Sequence, residues 1–307
     1  MTKIAAIVYH RIDFDGICSY AIARRYLENN GYAVTPYPYN YGDEAPDIQE
    51  LCSFDTVIIV DVCLPAEDMA ALARAIKTDP TFDVIWCDHH KSSVEAAETG
   101  GYMELPGNRH IGKPAACELT WEYLNTEETP YSVKSLSAYD PWNKERLDWE
   151  DETLPFQYGL RRRYALRAEE FYNDFGKLLE ESEASDVVNE GRIILDYIRQ
   201  SGSKGVGLYG FTVTVGDGHK ALCCLTNQFG ALAFEEELRR LDIGIAVCVN
   251  RMRKDLYNVS MYGVEGKNTL DLSRYMRENY GGGGHFNAAG GRMDGKQFLR
   301  LMEDCEL

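Results

Sequence analysis

In the stretch Ile85-Trp86-Cys87-Asp88-His89-His90-Lys91 an apolar run gives way abruptly to a carboxylate and two adjacent imidazoles. Imidazole holds transition ions or moves protons near neutral pH, and a carboxylate beside it supplies a hard oxygen ligand or an orienting acceptor. Successive residues of an extended chain point to opposite sides, so His89 and His90 can serve different partners, one a metal and the other a substrate oxygen. Two exposed histidines in an ordinary turn are the plain alternative. Against it, the chain has only 6 histidines, and His10, His89, His90 and His285 all stand in motif-like settings.

Further acids end apolar runs or helices in the first half of the chain: Asp13 and Asp15 in His10-Arg11-Ile12-Asp13-Phe14-Asp15-Gly16, then Asp61, then Asp140. Hard divalent cations prefer carboxylate oxygen, and imidazole shifts the preference toward Mn²⁺ or a similar ion. His10, Asp13, Asp15, Asp61, Asp88, His89 and Asp140 are more ligands than one cation takes, but they suit a pair. Two metals ~3.5–4 Å apart, bridged by a carboxylate and a hydroxide, are a standard engine for phosphoester hydrolysis.

The run Gly281-Gly282-Gly283-Gly284-His285 has a separate logic. Consecutive glycines let backbone amides converge on an anion as a nest, and the histidine after them can donate to a phosphate oxygen. With Ala288-Ala289-Gly290 permitting close packing, the phosphate-binding reading of Gly282, Gly283, Gly284 and His285 leads over that of a flexible turn. Arg251, with Arg253 and Lys254, is a candidate substrate contact, although a solvated hairpin accounts for the same residues equally well.

The elements that must position these groups alternate. Apolar runs at 4–9, 33–39, 56–61 and 82–87 read as strands, with helices at 17–30 and from Pro65 to about residue 77. Such alternation predicts a mostly parallel sheet with helices on both faces, and the acids then fall on the sheet's carboxyl edge, where α/β folds bind ligands. Residues 115–199 read as mainly helical. Within them Ser185-Asp186 is a candidate cap, the triplet Arg161-Arg162-Arg163 reads as a solvated helix face, and Gln200 to Gly205 reads as a linker. The remainder predicts a smaller α/β domain: a hairpin of strands at 211–215 and 221–225, a helix at 231–241, strands at 243–249 and 257–262, and a helix at 270–279 before the glycines.

Composition bounds the rest. A chain of 307 residues, 45% hydrophobic with mean hydropathy -0.36, has room for two cores and carries no apolar run near the ~18–20 residues of a membrane span. The net charge of -17 opposes long duplex nucleic acid and suits a small phosphorylated substrate beside bound cations. Nine cysteines without a Cys-x-x-Cys pair predict free thiols and a cytoplasmic protein.

Taken together, Asp13-x-Asp15-Gly16, Asp61 after a strand, Asp88-His89-His90, Asp140 and the late Gly-Gly-Gly-Gly-His-x-x-Ala-Ala-Gly resemble the DHH phosphoesterase superfamily with its DHHA1 C-terminal domain. That family includes RecJ-type exonucleases, nanoRNase/pAp phosphatases, cyclic-di-AMP phosphodiesterases and exopolyphosphatase-like proteins. The resemblance implies a catalytic DHH domain over residues 1–184, a helical linker over 185–205, a substrate-binding DHHA1 domain over 206–307, and an active site in the cleft between the two domains. It further implies two Mn²⁺, with Mg²⁺ or another divalent ion as alternatives. His10 and Asp13 would hold one ion, Asp15, His89 and Asp140 the other, and Asp61 would bridge. His90 would contact the scissile phosphate or protonate the leaving group, and Asp88 would act as a ligand or as the group orienting His89. His285 and its glycines would bind substrate phosphate. Some members space the first histidine and aspartate differently, so His10 is the ligand that the resemblance supports least.

The expected activity is Mn²⁺-dependent phosphoester hydrolysis on small nucleotides or short single-stranded oligonucleotides, with no membrane and no duplex partner. A homodimer is compatible with the sequence. A pyrophosphatase or exopolyphosphatase and a non-catalytic single-strand-binding relative are the alternatives.

Overall fold

The computed structural model describes residues 2–225, 230–303 and 305. The chain divides into two compact units, residues 1–194 and 195–307.

In the first unit the elements alternate as the apolar runs predict: β1 (Lys3–His10), α1 (Phe14–Asn29), β2 (Tyr32–Tyr39), α2 (Ile48–Leu51), β3 (Thr56–Val60), α3 (Ala66–Thr78), β4 (Asp83–Cys87) and α4 (Lys91–Gly100). Four strands pair in the order β2-β1-β3-β4, every pair parallel. Parallel sheets need cover on both faces, and the side chains of each strand divide accordingly. Ala5, Ile7, Tyr9, Ile58 and Val60 enter one core, while Ala6, Val8, Val57, Ile59 and Trp86 enter the other. The chain then turns helical through α5 (Ala116–Leu124), α6 (Tyr131–Tyr139), α7 (Leu154–Tyr164) and α8 (Ala168–Leu178).

Local chemistry sets the ends. Asp13 caps α1 by accepting from the Gly16 amide, and Gly31, at φ 80°, ends the turn that follows the helix. β3 ends on Asp61, whose φ of 57° is uncommon for a residue with a side chain and is tolerated best by Asp and Asn.

The next helix departs from the sequence reading. α9 runs unbroken over Glu181–Tyr209, so it neither starts at a Ser185-Asp186 cap nor stops before Gln200. The Ser185 hydroxyl donates to the Glu181 carbonyl 2.9 Å away, a bond made inside a helix rather than at its start. The Ser/Gly stretch taken for a linker is helical throughout.

The second unit holds β5 (Phe211–Val215), β6 (His219–Leu225), α10 (Glu235–Leu241) after a short 3-10 turn over Gly230–Phe234, β7 (Ile245–Arg253), β8 (Leu256–Gly263), α11 (Leu272–Tyr280), β9 (Gly283–His285), β10 (Ala288–Asp294) and α12 (Gly295–Glu303). Its mixed sheet has the order β5-β6-β7-β8-β10-β9. The expected β5–β6 hairpin is present, antiparallel from Phe211↔Cys223 to Val215↔His219. Within the glycine run, Gly283–His285 form an edge strand antiparallel to Ala288–Gly290. Close approach explains the glycines there: a Cβ on Gly282 would lie 2.0 Å from the Gly290 carbonyl oxygen, and one on Gly284 2.4 Å from that of Ala288.

Among the described residues no helix is long and apolar enough to cross a membrane, and all nine cysteines are free.

Candidate metal centre

Because the strands are parallel, the carboxyl ends of β1, β3 and β4 lie side by side, and each carries site residues: His10, Asp61, and Asp88-His89-His90. The β1–α1 turn adds Asp13 and Asp15, and Asp140 follows the end of α6. These side chains converge into three groups of ligand atoms: His10, Asp13 and Asp61; Asp15, His89 and Asp140; and Asp61, His89 and His90. Asp61 and His89 belong to two groups each.

Asp61 occupies the centre and is 1% exposed. Its Oδ2 lies 3.4 Å from His10 Nδ1, and its Oδ1 lies 3.4 Å from His89 Nε2 and 3.8 Å from His90 Nδ1. The two oxygens of one carboxylate therefore face different imidazoles. His10 Nδ1 also lies 3.0 Å from Asp13 Oδ2, while His89 Nε2 lies 3.2 Å from Asp140 Oδ2 and 3.5 Å from Asp15 Oδ2.

The far nitrogens decide what these contacts mean. His89 Nδ1 lies 3.0 Å from the Gly112 carbonyl, so it carries the proton and donates. His10 Nε2 lies 3.1 Å from Asn40 Oδ1 and donates in the same way. In the neutral rings, the lone pairs of His10 Nδ1 and His89 Nε2 then point at carboxylate oxygens. Neither nitrogen makes a hydrogen bond, nor does Asp61 Oδ1, and all three atoms are buried. Imidazole lone pairs and carboxylates facing one another in a buried site repel unless a positive charge sits among them. An imidazole with its outer N–H tied to an acceptor is also the arrangement found behind metal-bound histidines. The residues fit divalent cations.

Without cations, protons supply the charge. Burial lowers the pKa of His10, but the adjacent Asp13 and Asp61 outweigh it and raise the ring to about 11. His89 is likewise lowered by burial and raised further by Asp140, Asp61 and Asp15, to about 12. Desolvation, with Asp15 and Asp13 nearby, pushes Asp61 well above the usual carboxylate range, and desolvation with Asp140 nearby raises Asp15. Both rings must lose a proton before they can ligate. Addition of Mn²⁺ to the metal-free protein at pH 8 is therefore expected to release protons, measurable by calorimetry in buffers of different ionisation enthalpy. As pH falls, protons compete better, and apparent affinity is expected to weaken by about tenfold per pH unit for each proton released. Binding without proton release would contradict this arrangement.

Asp15 has a second task. Its oxygens accept from the amides of Ala116, at 2.9 Å, and Cys117, at 2.7 Å, tying the cluster to the amino end of α5. Asp88 belongs to none of the three ligand groups. Its Oδ1 accepts from the amides of His89, at 2.8 Å, and His90, at 3.1 Å, and lies 2.8 Å from His90 Nδ1. From a fully buried position it sets the direction of the His90 ring and holds the backbone of both histidines. Arg109 holds the loop that delivers Gly112, donating to the carbonyls of Trp86, Met103 and Leu105.

Sequence reasoning missed Asn40, Gly112 and Arg109, since nothing in their spacing separates them from ordinary loop residues. Of the remaining predicted site residues, Gly282, Gly283, Gly284, His285 and Arg251 lie in the second unit. Arg251 is opposite Tyr257, at an irregularity in the β7–β8 pairing.

Fold and site define an α/β protein that gathers carboxylates and imidazoles at the carboxyl edge of a parallel sheet. Residues 3–147 match the DHH family, N-terminal domain. No curated protein matches the sequence. Among solved structures, a DHH domain described as a member of the s1p family of ribosomal proteins is 15% identical, with a TM-score of 0.60 over 99% of this chain and 85% of that one. A pGpG-specific phosphodiesterase from Vibrio cholerae is 14% identical, with a TM-score of 0.53 over 99% of this chain and 97% of that one. These likenesses show the fold.

Proposed function

We propose that the protein is a metal-dependent phosphoesterase that hydrolyses small nucleotides or short single-stranded oligonucleotides. The observation that carries this reading is the position of Asp61, whose two buried oxygens face separate histidines, each with its own carboxylates. His10 and Asp13 would hold one divalent cation, Mn²⁺ or Mg²⁺, and Asp15, His89 and Asp140 the other, with Asp61 between them. A bound pair acidifies water, neutralises the phosphate and stabilises the leaving oxygen.

The chain's own groups do the rest. Asp88 keeps the His90 proton on Nδ1, which leaves Nε2 to exchange a proton with a phosphate or leaving-group oxygen. Gly112 and Asn40 fix the other imidazoles in the ligating tautomer. Gly282, Gly283, Gly284 and His285, with Arg251, are assigned to substrate phosphate.

An aromatic stack favours nucleotides over inorganic pyrophosphate or polyphosphate. Tyr139, next to Asp140, lies 5.7 Å from Trp149 with the rings nearly parallel, and Trp149 lies 5.1 Å from Trp142. Trp142 is 53% exposed and has φ 54°, an unusual backbone for a bulky residue. An exposed aromatic ring beside a phosphate site, here Trp142, offers a stacking surface to a nucleobase and nothing to an inorganic substrate.

A turnover panel with Mn²⁺ tests the reading: adenosine bisphosphate, the dinucleotide pGpG, a longer oligonucleotide, a cyclic dinucleotide and pyrophosphate. Release of mononucleotide or phosphate from the small nucleotides, faster than from pyrophosphate, is expected. Turnover of pyrophosphate alone would favour the phosphoanhydride alternative. Tight single-strand binding without turnover under any metal would favour the non-catalytic one.

A further inference from the structure

One face of α9 turns two large apolar side chains to solvent, one helical turn apart: Ile193 is 73% exposed and Tyr197 64%. A single exposed apolar residue is ordinary. These two, however, stand at the middle of a repeat. Asp186, Glu190, Ile193, Tyr197, Gln200 and Lys204 follow one another at intervals of four, three, four, three and four residues. Residues spaced in this way run down one side of a helix, as the a and d positions of a heptad seam do. Leu195 points the other way and is buried.

The six positions are also symmetric about Leu195. Ile193 and Tyr197 lie two residues from it, Glu190 and Gln200 five, and Asp186 and Lys204 nine. A second α9 laid antiparallel on this face, with a two-fold axis at Leu195, sets each Ile193 against a Tyr197 and each Asp186 against a Lys204. That is the self-complementarity a two-fold interface demands. Charge selects the direction. Asp186 and Lys204 are exposed, and among the described residues neither makes an ion pair. Antiparallel pairing supplies each with its opposite, whereas parallel pairing sets like charges against each other. Glu190 is already paired with Arg162 and Arg163, and the residue it would meet, Gln200, is a neutral donor. An apolar centre flanked by polar and charged groups is the usual anatomy of a protein–protein contact.

We propose that this face of α9 joins two copies of the chain, packed antiparallel about Leu195. The seam from Asp186 to Lys204 is about 27 Å long at the helical rise of 1.5 Å per residue, which places it among small, reversible interfaces. The inference is independent of the phosphoesterase reading.

Sedimentation of the full chain over a concentration series tests it. The salt is about 0.15 M, so that repulsion between two chains of net charge -17 is screened beyond ~8 Å. A dimer with a dissociation constant on the order of 10 µM is expected. Ile193→Ser removes an exposed apolar contact without disturbing the fold, and weakens association at least tenfold. Asp186→Lys and Lys204→Asp each turn two attractive pairs into repulsive ones, and each weakens association by roughly tenfold. The double variant Asp186→Lys/Lys204→Asp has the net charge of the wild type and recovers its association. An equimolar mixture of the two single variants recovers it as well. Unchanged melting temperatures confirm that every variant is folded. A wild type that stays monomeric throughout the series overturns the inference. So does a dimer that Ile193→Ser leaves intact, or one that the single charge reversals leave intact, as a parallel seam would. Failure of both the double variant and the mixture to associate overturns it too.

Discussion

Asp61→Asn is expected to abolish phosphoester turnover while leaving the metal-free protein at least as stable as the wild type. The two effects have one cause. Asp61 is 1% exposed, its pKa is driven up by desolvation and by Asp15 and Asp13, and its Oδ1 has no hydrogen-bond partner. A carboxyl whose folded pKa lies above its unfolded value subtracts stability once pH exceeds the unfolded value near 4, so at neutral pH the cation-free fold bears this cost. Asparagine removes the charge and keeps the shape. It also accepts the φ of 57° at this position as readily as aspartate does, whereas alanine would not.

Function moves the other way. Loss of a group that merely orients metal ligands costs roughly 10–100-fold, and Asp61 faces both histidines directly, so a loss beyond roughly 100-fold is expected. Mn²⁺ should raise the melting temperature of the wild type and leave that of Asp61→Asn nearly unchanged. Two measurements decide it: melting temperature with and without Mn²⁺, and turnover. A variant that melts far below the wild type in chelator, or that keeps full activity, contradicts the assignment.

The same residues explain how much of the site was legible. Asp13, Asp61, Asp88 and His89 each end a strand or start a helix, and in a parallel sheet those ends share one edge. Periodicity alone therefore placed them together. Asn40, Gly112 and Arg109 reach the site through loops whose course depends on tertiary hydrogen bonds, and no local pattern encodes that course. Arg161 could not be told apart from its neighbours because a basic triplet looks uniform along the chain. Only the positions of Glu183 and Glu190, on another helix, separate it from Arg162 and Arg163. The α9 boundary failed for a related reason: serine and glycine weaken a helix in isolation, but Ser203 donates to Glu236 Oε2 and Val206 is buried in a core of the second unit, tertiary contacts that no local propensity records.

The opposite sign of two glycine substitutions gives the sharpest test of that balance. Gly16 and Gly205 both lie within helices, and neither has a positive φ. On propensity alone, alanine at either site would stabilise by up to ~1 kcal/mol. At Gly205 a Cβ meets nothing within 4 Å, so Gly205→Ala should realise that gain as a rise of roughly 2–4 °C. At Gly16 a Cβ would lie 2.0 Å from the His10 carbonyl oxygen and 2.7 Å from His10 Cβ. The obstacle is backbone at the end of β1, in the centre of the sheet, and cannot swing aside as a side chain would. Overpacking of this kind costs about 1–3 kcal/mol or more, which exceeds the propensity gain and reverses its sign. The strain is relieved only by displacing His10 or the turn that carries Asp13, both in one ligand group. Gly16→Ala is therefore expected to melt several degrees lower in chelator, to bind Mn²⁺ more weakly, and to lose most activity although the added methyl group presses on the backbone and Cβ of His10 rather than on a ligand atom. Melting curves and Mn²⁺ titrations of the two variants side by side decide the matter. A Gly16→Ala protein as stable and as tightly metal-binding as Gly205→Ala would mean that α1 does not press against β1 as closely as this site requires.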